Sequence, residues 1–231
     1  VLMIGPSGCG KTEIIRRLKD ILDVPVVVTD FSGVVATPWK GKNKEEALSE
    51  LLLHAGMDVQ RAEHGIVFID EFDKTASCNE ERGYAIKGEL QGQLLGMLEG
   101  TTMDVPSPQD ENTRITMHTE NILFICAGAF EGLERVVANE NKKDTQGFGM
   151  SAREKNVELS SSNVTSKHLI KYGFKSELVG RFGEISVLNA LSREQMRQVL
   201  LETEDSILER YKNLFRLGTG KELVLTEDAI D

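Results

Sequence analysis

The chain has 231 residues, 40% of them hydrophobic and 28% charged, with a formal net charge of −10 at pH 7. That length supplies one large domain, or one domain plus part of another, and the acidic balance weighs against a protein whose main task is to grip a nucleic-acid backbone. No apolar run reaches bilayer-spanning length, and Cys9, Cys78 and Cys126 form no C-x-x-C pair, so the chain reads as a cytoplasmic protein without a membrane segment.

Val1-Leu2-Met3-Ile4 is an apolar run that predicts a buried strand. The chain opens directly on it with no signal peptide, so a fragment of a longer protein is expected. Gly5-Pro6-Ser7-Gly8-Cys9-Gly10-Lys11-Thr12 follows and fits G-x-x-x-x-G-K-[ST]; residues 12–22 then carry helical apolar spacing. Strand, glycine loop and helix in that order make a polyphosphate cradle. The glycines let backbone N–H groups point inward, and the helix N-terminus adds positive partial charge. Lys11 can reach the β- and γ-phosphates of ATP, and the Thr12 hydroxyl can ligate Mg²⁺.

Val24-Pro25-Val26-Val27-Val28-Thr29-Asp30 predicts a second strand, and residues 44–54 a helix with Leu48, Leu51 and Leu52 on one face. Ile66-Val67-Phe68-Ile69 predicts a third buried strand, which delivers Asp70 and Glu71 at its C-terminal end, where open α/β sheets bind ligands. Asp70 is suited to the Mg²⁺ shell, and Glu71 to polarising an attacking water as general base. Residues 84–99 read as a helix with Ile86, Leu90, Leu94 and Leu98 at helical spacing. Residues 101–121, with Pro106 and Pro108, are expected to be a long loop holding a short strand-like Ile115-Thr116-Met117.

Ile122-Leu123-Phe124-Ile125-Cys126 predicts a fourth buried strand, and the polar residues 139–163 a second long loop. Ile185-Ser186-Val187-Leu188 is a candidate short strand. Ser192-Arg193-Glu194-Gln195 is a capping-box pattern opening one long helix, with Met196, Val199, Leu200, Ile207 and Leu208 as its apolar positions. Leu223-Val224-Leu225 reads as a strand and Thr226-Glu227-Asp228-Ala229 as a helix start, with chain expected beyond Asp231. The change of character near Leu188 predicts domains at 1–188 and 189–231. His54, His64, His118 and His168 lack metal-ligand spacing and read as surface or structural residues. Apolar strands alternating with helices argue an α/β fold, a parallel sheet sandwiched by helices.

These pieces together resemble an AAA+ ATPase, and within that class the ClpX-type protein unfoldases, with HslU a relative. The resemblance runs over nearly the whole chain. Asp70-Glu71-Phe72-Asp73-Lys74 is similar to the family's Walker B and its continuation. Residues 88–100 are similar to its helix before the second pore loop, and residues 121–130 to its sensor-1 strand. His168-Leu169-Ile170-Lys171-Tyr172-Gly173-Phe174-Lys175-Ser176-Glu177-Leu178-Val179-Gly180-Arg181 matches the segment carrying its arginine finger. The resemblance implies a P-loop NTPase domain of five parallel strands, followed by the start of a small helical lid domain. It implies a homo-hexameric ring with ATP between subunits, polypeptide substrates, and Arg181 reaching a neighbour's γ-phosphate. A surface Arg181 paired with Glu177 or Glu184 is the alternative. Trp39-Lys40-Gly41 would be the pore loop that grips substrate; the alternative is a tryptophan anchoring its own domain.

The chain departs from the family at several places. Lys40 stands where an aliphatic residue is usual. Residues 101–121 hold Asp104, Asp110 and Glu111 where relatives carry a basic substrate-collecting loop. The peptidase-docking tripeptide aligns with Gln146-Gly147-Phe148, and a glutamine in an apolar cleft disfavours docking to a ClpP-like peptidase. Cys126-Ala127-Gly128 offers no polar sensor-1 side chain. The leading expectation is an ATP-driven protein unfoldase. A protease-independent disassembly chaperone, an AAA+ DNA motor and an ATP-sensing module without hydrolysis stand behind it.

Overall fold

The structure is a computed structural model, and it describes residues 1–30, 42–76, 81–144, 159–203 and 206–226. Two compact units divide the chain, Val1–Asn189 and Ala190–Asp231. In the first unit the order is β1 (Leu2–Ile4), α1 (Lys11–Ile21), β2 (Val26–Asp30), α2 (Lys42–His54), α3 (Val59–Ala62) and β3 (Ile66–Asp70). A 3-10 turn, Phe72–Thr75, leads to α4 (Glu81–Leu98), β4 (Thr102–Ser107), β5 (Asp110–His118) and β6 (Leu123–Gly128). Then come α5 (Leu133–Asp144), α6 (Ser166–Tyr172), α7 (Ser176–Val179) and β7 (Ile185–Val187).

The main sheet has the order β2-β3-β6-β1-β7, with every pair parallel. The strands read as apolar throughout because both faces are covered. Leu2, Ile4, Val67, Ile69 and Cys126 point into a large core with Leu48, Leu51, Leu90 and Leu94 from α2 and α4. The alternating residues Met3, Ile66, Phe68, Ile125 and Ala127 meet Ile15 of α1 on the other face. Fully burying a side chain such as Phe68 contributes roughly 1.5–3 kcal/mol, so the two faces dominate the stability of the sheet.

Four expectations are corrected. Residues 139–144, expected in a loop, form the end of α5. Residues 101–121 are not a loop but an antiparallel hairpin, β4 with β5, running from Thr102 opposite His118 to Ser107 opposite Asp110. Val105 and Met117 are fully buried on its inner face, and Pro106 sits at the register shift, where a strand tolerates a missing N–H. The hairpin is held to α2 by Ser49 Oγ, which donates to the Pro106 carbonyl at 2.8 Å, and by an Arg114–Glu45 ion pair at 2.6 Å. In the second unit the single long helix is two, α8 (Arg193–Glu202) and α9 (Ile207–Thr219). Thr203 turns extended after α8, and Ser206 Oγ caps α9 by accepting the Glu209 N–H at 3.1 Å. The Ser192–Gln195 capping box forms as the pattern predicts. Leu223-Val224-Leu225 is not a strand: among the described residues it pairs with none, and a β-ladder needs a partner edge.

One buried polar side chain ties the sheet's ligand-facing end to the segment leading toward Arg181. Gln91 of α4 is 1% exposed. Its Nε2 donates to the Thr75 carbonyl at 2.9 Å and the Gly173 carbonyl at 3.1 Å, while its Oε1 accepts the Lys175 N–H at 2.8 Å. Phe72 stacks on Phe174 beside it, with ring centroids 5.2 Å apart. Gln91→Leu strips three backbone groups, one buried and two partly buried, of their partner, and is expected to cost about 1–3 kcal/mol of stability. Thermal or urea unfolding reads this directly, and a loss below about 0.5 kcal/mol would show the network to be dispensable.

Candidate functional site

The loop after β1 leaves the sheet between β6 and β7, where the chain's path reverses and a crevice opens. Its first residue is tied to the neighbouring strand, because the Gly5 N–H donates to the Gly128 carbonyl at 3.1 Å. Gly8 (φ 80°) and Gly10 (φ 96°) both take left-handed backbone, and no atom lies within 4 Å of a Cβ built on either. Their glycine identity therefore serves the curl of the loop, whose hollow side stays open. Gly10 is also the N-cap of α1, with no side-chain cap. A helix N-terminus left uncapped by side chains presents its first N–H groups to an anion.

Lys11 is 8% exposed. Its Nζ donates to the carbonyls of Gly5 at 2.6 Å and Pro6 at 2.9 Å, and lies 3.9 Å from Cys9 Sγ. The ammonium is thus held along the inner rim of the loop, on oxygens that stand where phosphate oxygens would compete. Thr12 Oγ1 donates to Asp70 Oδ2 at 2.8 Å, joining the start of α1 to the end of β3. The Asp70 Oδ1 accepts the N–H of Glu71 at 2.9 Å. Glu71 has left-handed backbone, φ 53° and ψ 30°, which swings its side chain off the strand. Its carboxylate pairs with Lys74 Nζ at 2.5 Å. That hydrogen bond is the main reason the Lys74 ammonium sits above the usual lysine range; desolvation opposes it, and the charges of Glu71, Asp73 and Asp30 add to it.

Together these residues line a cleft of about 720 Å³, with Gly8, Lys11, Thr12, Asp70 and Glu71 on one side and Ala129 after β6 on the other. That volume suits a nucleotide-sized ligand. The donor set fits a nucleoside triphosphate with Mg²⁺: an open cradle of N–H groups, a lysine on replaceable oxygens, and a hydroxyl–carboxylate pair of hard oxygens. Among the described residues the two thiols are buried. Cys126 is completely buried, and burial pushes it up to about 12, while Cys9 is buried in the loop.

Arg181 does not line this cleft. Neither Glu177 nor Glu184 holds it. Its Nη2 meets Glu99 Oε1, just past the end of α4, at 2.6 Å, and both side chains are partly exposed. Trp39, Lys40 and Gly41 lie outside the described residues, as do Gln146, Gly147 and Phe148. The histidine rings bond locally: His54 Nδ1 to the Val26 carbonyl at 2.8 Å, His64 Nδ1 to the Gln60 carbonyl at 2.9 Å, His118 Nδ1 to Thr102 Oγ1 at 3.1 Å. His168 Nδ1 accepts the Thr165 N–H at 3.1 Å. The sequence places Asp73 and Lys74 in the continuation of the Walker B motif but gives neither a role of its own, although both line the cleft. The signal available was their spacing: a 3-10 turn directly after Glu71 brings residues two and three positions on back to the strand end.

Residues 1–185 match the family model for the AAA domain (Cdc48 subfamily). Over 243 aligned positions the whole chain is 35% identical to the ATP-dependent Clp protease ATP-binding subunit ClpX of Porphyromonas gingivalis. The chain spans 58% of that relative's length.

Proposed function

Since the chain belongs to the AAA+ ATPases and is of ClpX type among them, we propose that it is the ATP-hydrolysing motor of a ring-forming protein unfoldase. The observation that carries this reading is the convergence of Lys11, Thr12, Asp70 and Glu71 on one cleft while Arg181 stays outside it. The loop N–H groups and Lys11 bind and orient the β- and γ-phosphates. Thr12 and Asp70 would hold Mg²⁺, which offsets phosphate charge when bound. Glu71 takes a proton from the attacking water. Arg181 acts on the cleft of a neighbouring subunit, which its partly exposed position supports, and this makes a homo-hexameric ring part of the proposal. In such a ring Trp39, with Lys40 and Gly41, grips an extended polypeptide by van der Waals contact that tolerates any sequence. The second unit is the start of the lid. A reducing cytoplasm is the proposed location, in keeping with Cys9 and Cys126 as free thiols. Among the described residues no helix is long and apolar enough to cross a membrane.

A second reading keeps the same motor and removes the protease. Gln146 supports it, because burying its amide beside Gly147 and Phe148 in an apolar peptidase cleft costs free energy. The test of the main reading is ATP-dependent loss of fluorescence from a degron-tagged fluorescent protein. The protein is expected to unfold it, and Trp39→Ala to keep ATP hydrolysis within about 3-fold while losing unfolding. ATP turnover without any unfolding would count against threading, and unfolding retained by Trp39→Ala against the pore role. Adding a ClpP-like peptidase to active motor then separates the two readings by whether the substrate is degraded.

A further inference from the structure

Among the described residues three that are not glycine have positive φ, and two of them flank the cleft. Glu71, at φ 53°, follows β3, and Phe130, at φ 54°, follows β6. Such backbone is strained for a residue with a Cβ and persists where the surroundings over-determine it. The side chain between these two turns is Asp73. Its Oδ2 accepts the Phe130 N–H at 3.2 Å. Its Oδ1 lies over the last residue of β6: a Cβ built on Gly128 would sit 2.4 Å from that oxygen and 2.8 Å from its carboxyl carbon. No real Cβ tolerates such a contact, so β6 ends in glycine and the Asp73 carboxylate occupies the space a side chain would take. Asp73 also lines the cleft beside Glu71.

We propose that Asp73 is a positioning residue for ATP hydrolysis. It ties the turn after β3 to the turn after β6, and so fixes the direction in which the Glu71 carboxylate enters the cleft. Gly128 is the other half of the device, because only its missing side chain admits the clamp. The inference rests on the ATPase reading and adds a residue to it. Asp73 does not itself touch the reacting atoms; its effect passes through Glu71.

The experiment measures steady-state ATP hydrolysis and the affinity for a fluorescent ADP analogue in wild type, Asp73→Ala, Asp73→Asn and Gly128→Ala. Asp73→Ala is expected to lower kcat about 10- to 100-fold while KM and analogue affinity stay within about 3-fold, the signature of a misdirected base in an intact binding site. Asp73→Asn offers an amide oxygen to the same N–H and is expected to stay within about 3-fold of wild type. Gly128→Ala pushes the carboxylate aside and is expected to copy Asp73→Ala. Wild-type turnover in Asp73→Ala overturns the proposal. So does Asp73→Asn as slow as Asp73→Ala, or a loss of nucleotide affinity that parallels the loss of kcat, which would mark a merely structural carboxylate. A wild-type protein that does not hydrolyse ATP would fell the ATPase reading and this inference with it, whereas active wild type with unaffected variants fells this inference alone.

Discussion

Glu71→Gln is expected to bind ATP as tightly as wild type and to hydrolyse it about 10²- to 10⁴-fold more slowly, the range a lost general base commands. The substitution keeps the shape of the side chain and its left-handed backbone, so the strand end is not reorganised. It leaves the phosphate cradle, Lys11 and the Thr12–Asp70 bond at 2.8 Å untouched. What it removes is a carboxylate that can receive a proton, and an amide cannot replace that. It also exchanges the 2.5 Å ion pair with Lys74 for a neutral contact. That pair is partly exposed, so little stability should be lost with it. The check is phosphate release under saturating ATP beside equilibrium binding of a fluorescent nucleotide. Turnover within about 3-fold of wild type would remove Glu71 from the chemistry. Binding lost together with turnover would instead place Glu71 in the cradle.

The same substitution sharpens the unfolding test. A motor trapped with ATP bound should hold substrate without moving it, so any loss of fluorescence seen with Glu71→Gln would come from passive unfolding and not from threading.

The sheet was legible in the sequence because its strands are short, apolar and covered on both faces, a pattern that no amphipathic helix produces. Ile66 to Ile69 illustrates it: Val67 and Ile69 enter one core, Ile66 and Phe68 the other, and no polar residue breaks the run. The hairpin of β4 and β5 was hidden by the opposite property. One face of it is solvated, so Asp104, Thr116 and Arg114 interrupt its apolar residues, and Pro106 and Pro108 look like breakers when the fold merely uses Pro106 at a register shift. The break between α8 and α9 was hidden because Ser206 reads as one more polar position on a helix until its hydroxyl is seen capping Glu209. Leu223-Val224-Leu225 has strand composition, but composition cannot supply a neighbouring edge.

For the site, local spacing carried the residues whose geometry is itself local. The loop from Gly5 to Thr12 and the Asp70-Glu71 pair are each contiguous, and the chemistry of a phosphate cradle demands that contiguity. Contacts between distant segments were not legible. Arg181 meets Glu99 across 82 positions, and Asp73 meets Phe130 across 57. Nothing near Arg181 in the chain names Glu99; Glu177 and Glu184 are closer in sequence and are not its partners. Only the packing of α4 against α7 decides that pairing.

Arg181→Ala is expected to bind nucleotide normally and to lose about 10³- to 10⁵-fold in turnover, the contribution of an arginine placed on the transferring phosphoryl group. Stability should not confound this, because the Glu99 pair it breaks is partly exposed and such pairs contribute about 0–1 kcal/mol. The stronger test uses the geometry. If Arg181 serves a neighbour, an Arg181→Ala subunit keeps an intact base and lacks a borrowed arginine, whereas a Glu71→Gln subunit lacks its base and can still lend an arginine. Each is inactive alone. Mixed at equal amounts, half the clefts keep Glu71 and half of those face an intact Arg181, so about one quarter of wild-type turnover should return if subunits exchange freely and act independently. Recovery of that order can come only from an arginine acting across a subunit boundary, and it would establish that the cleft is completed by a neighbouring subunit. A mixture as inactive as its components would mean that the arginine is not supplied across a subunit boundary. Near-normal turnover of Arg181→Ala on its own would instead make Arg181 a structural residue, held by Glu99 outside the cleft.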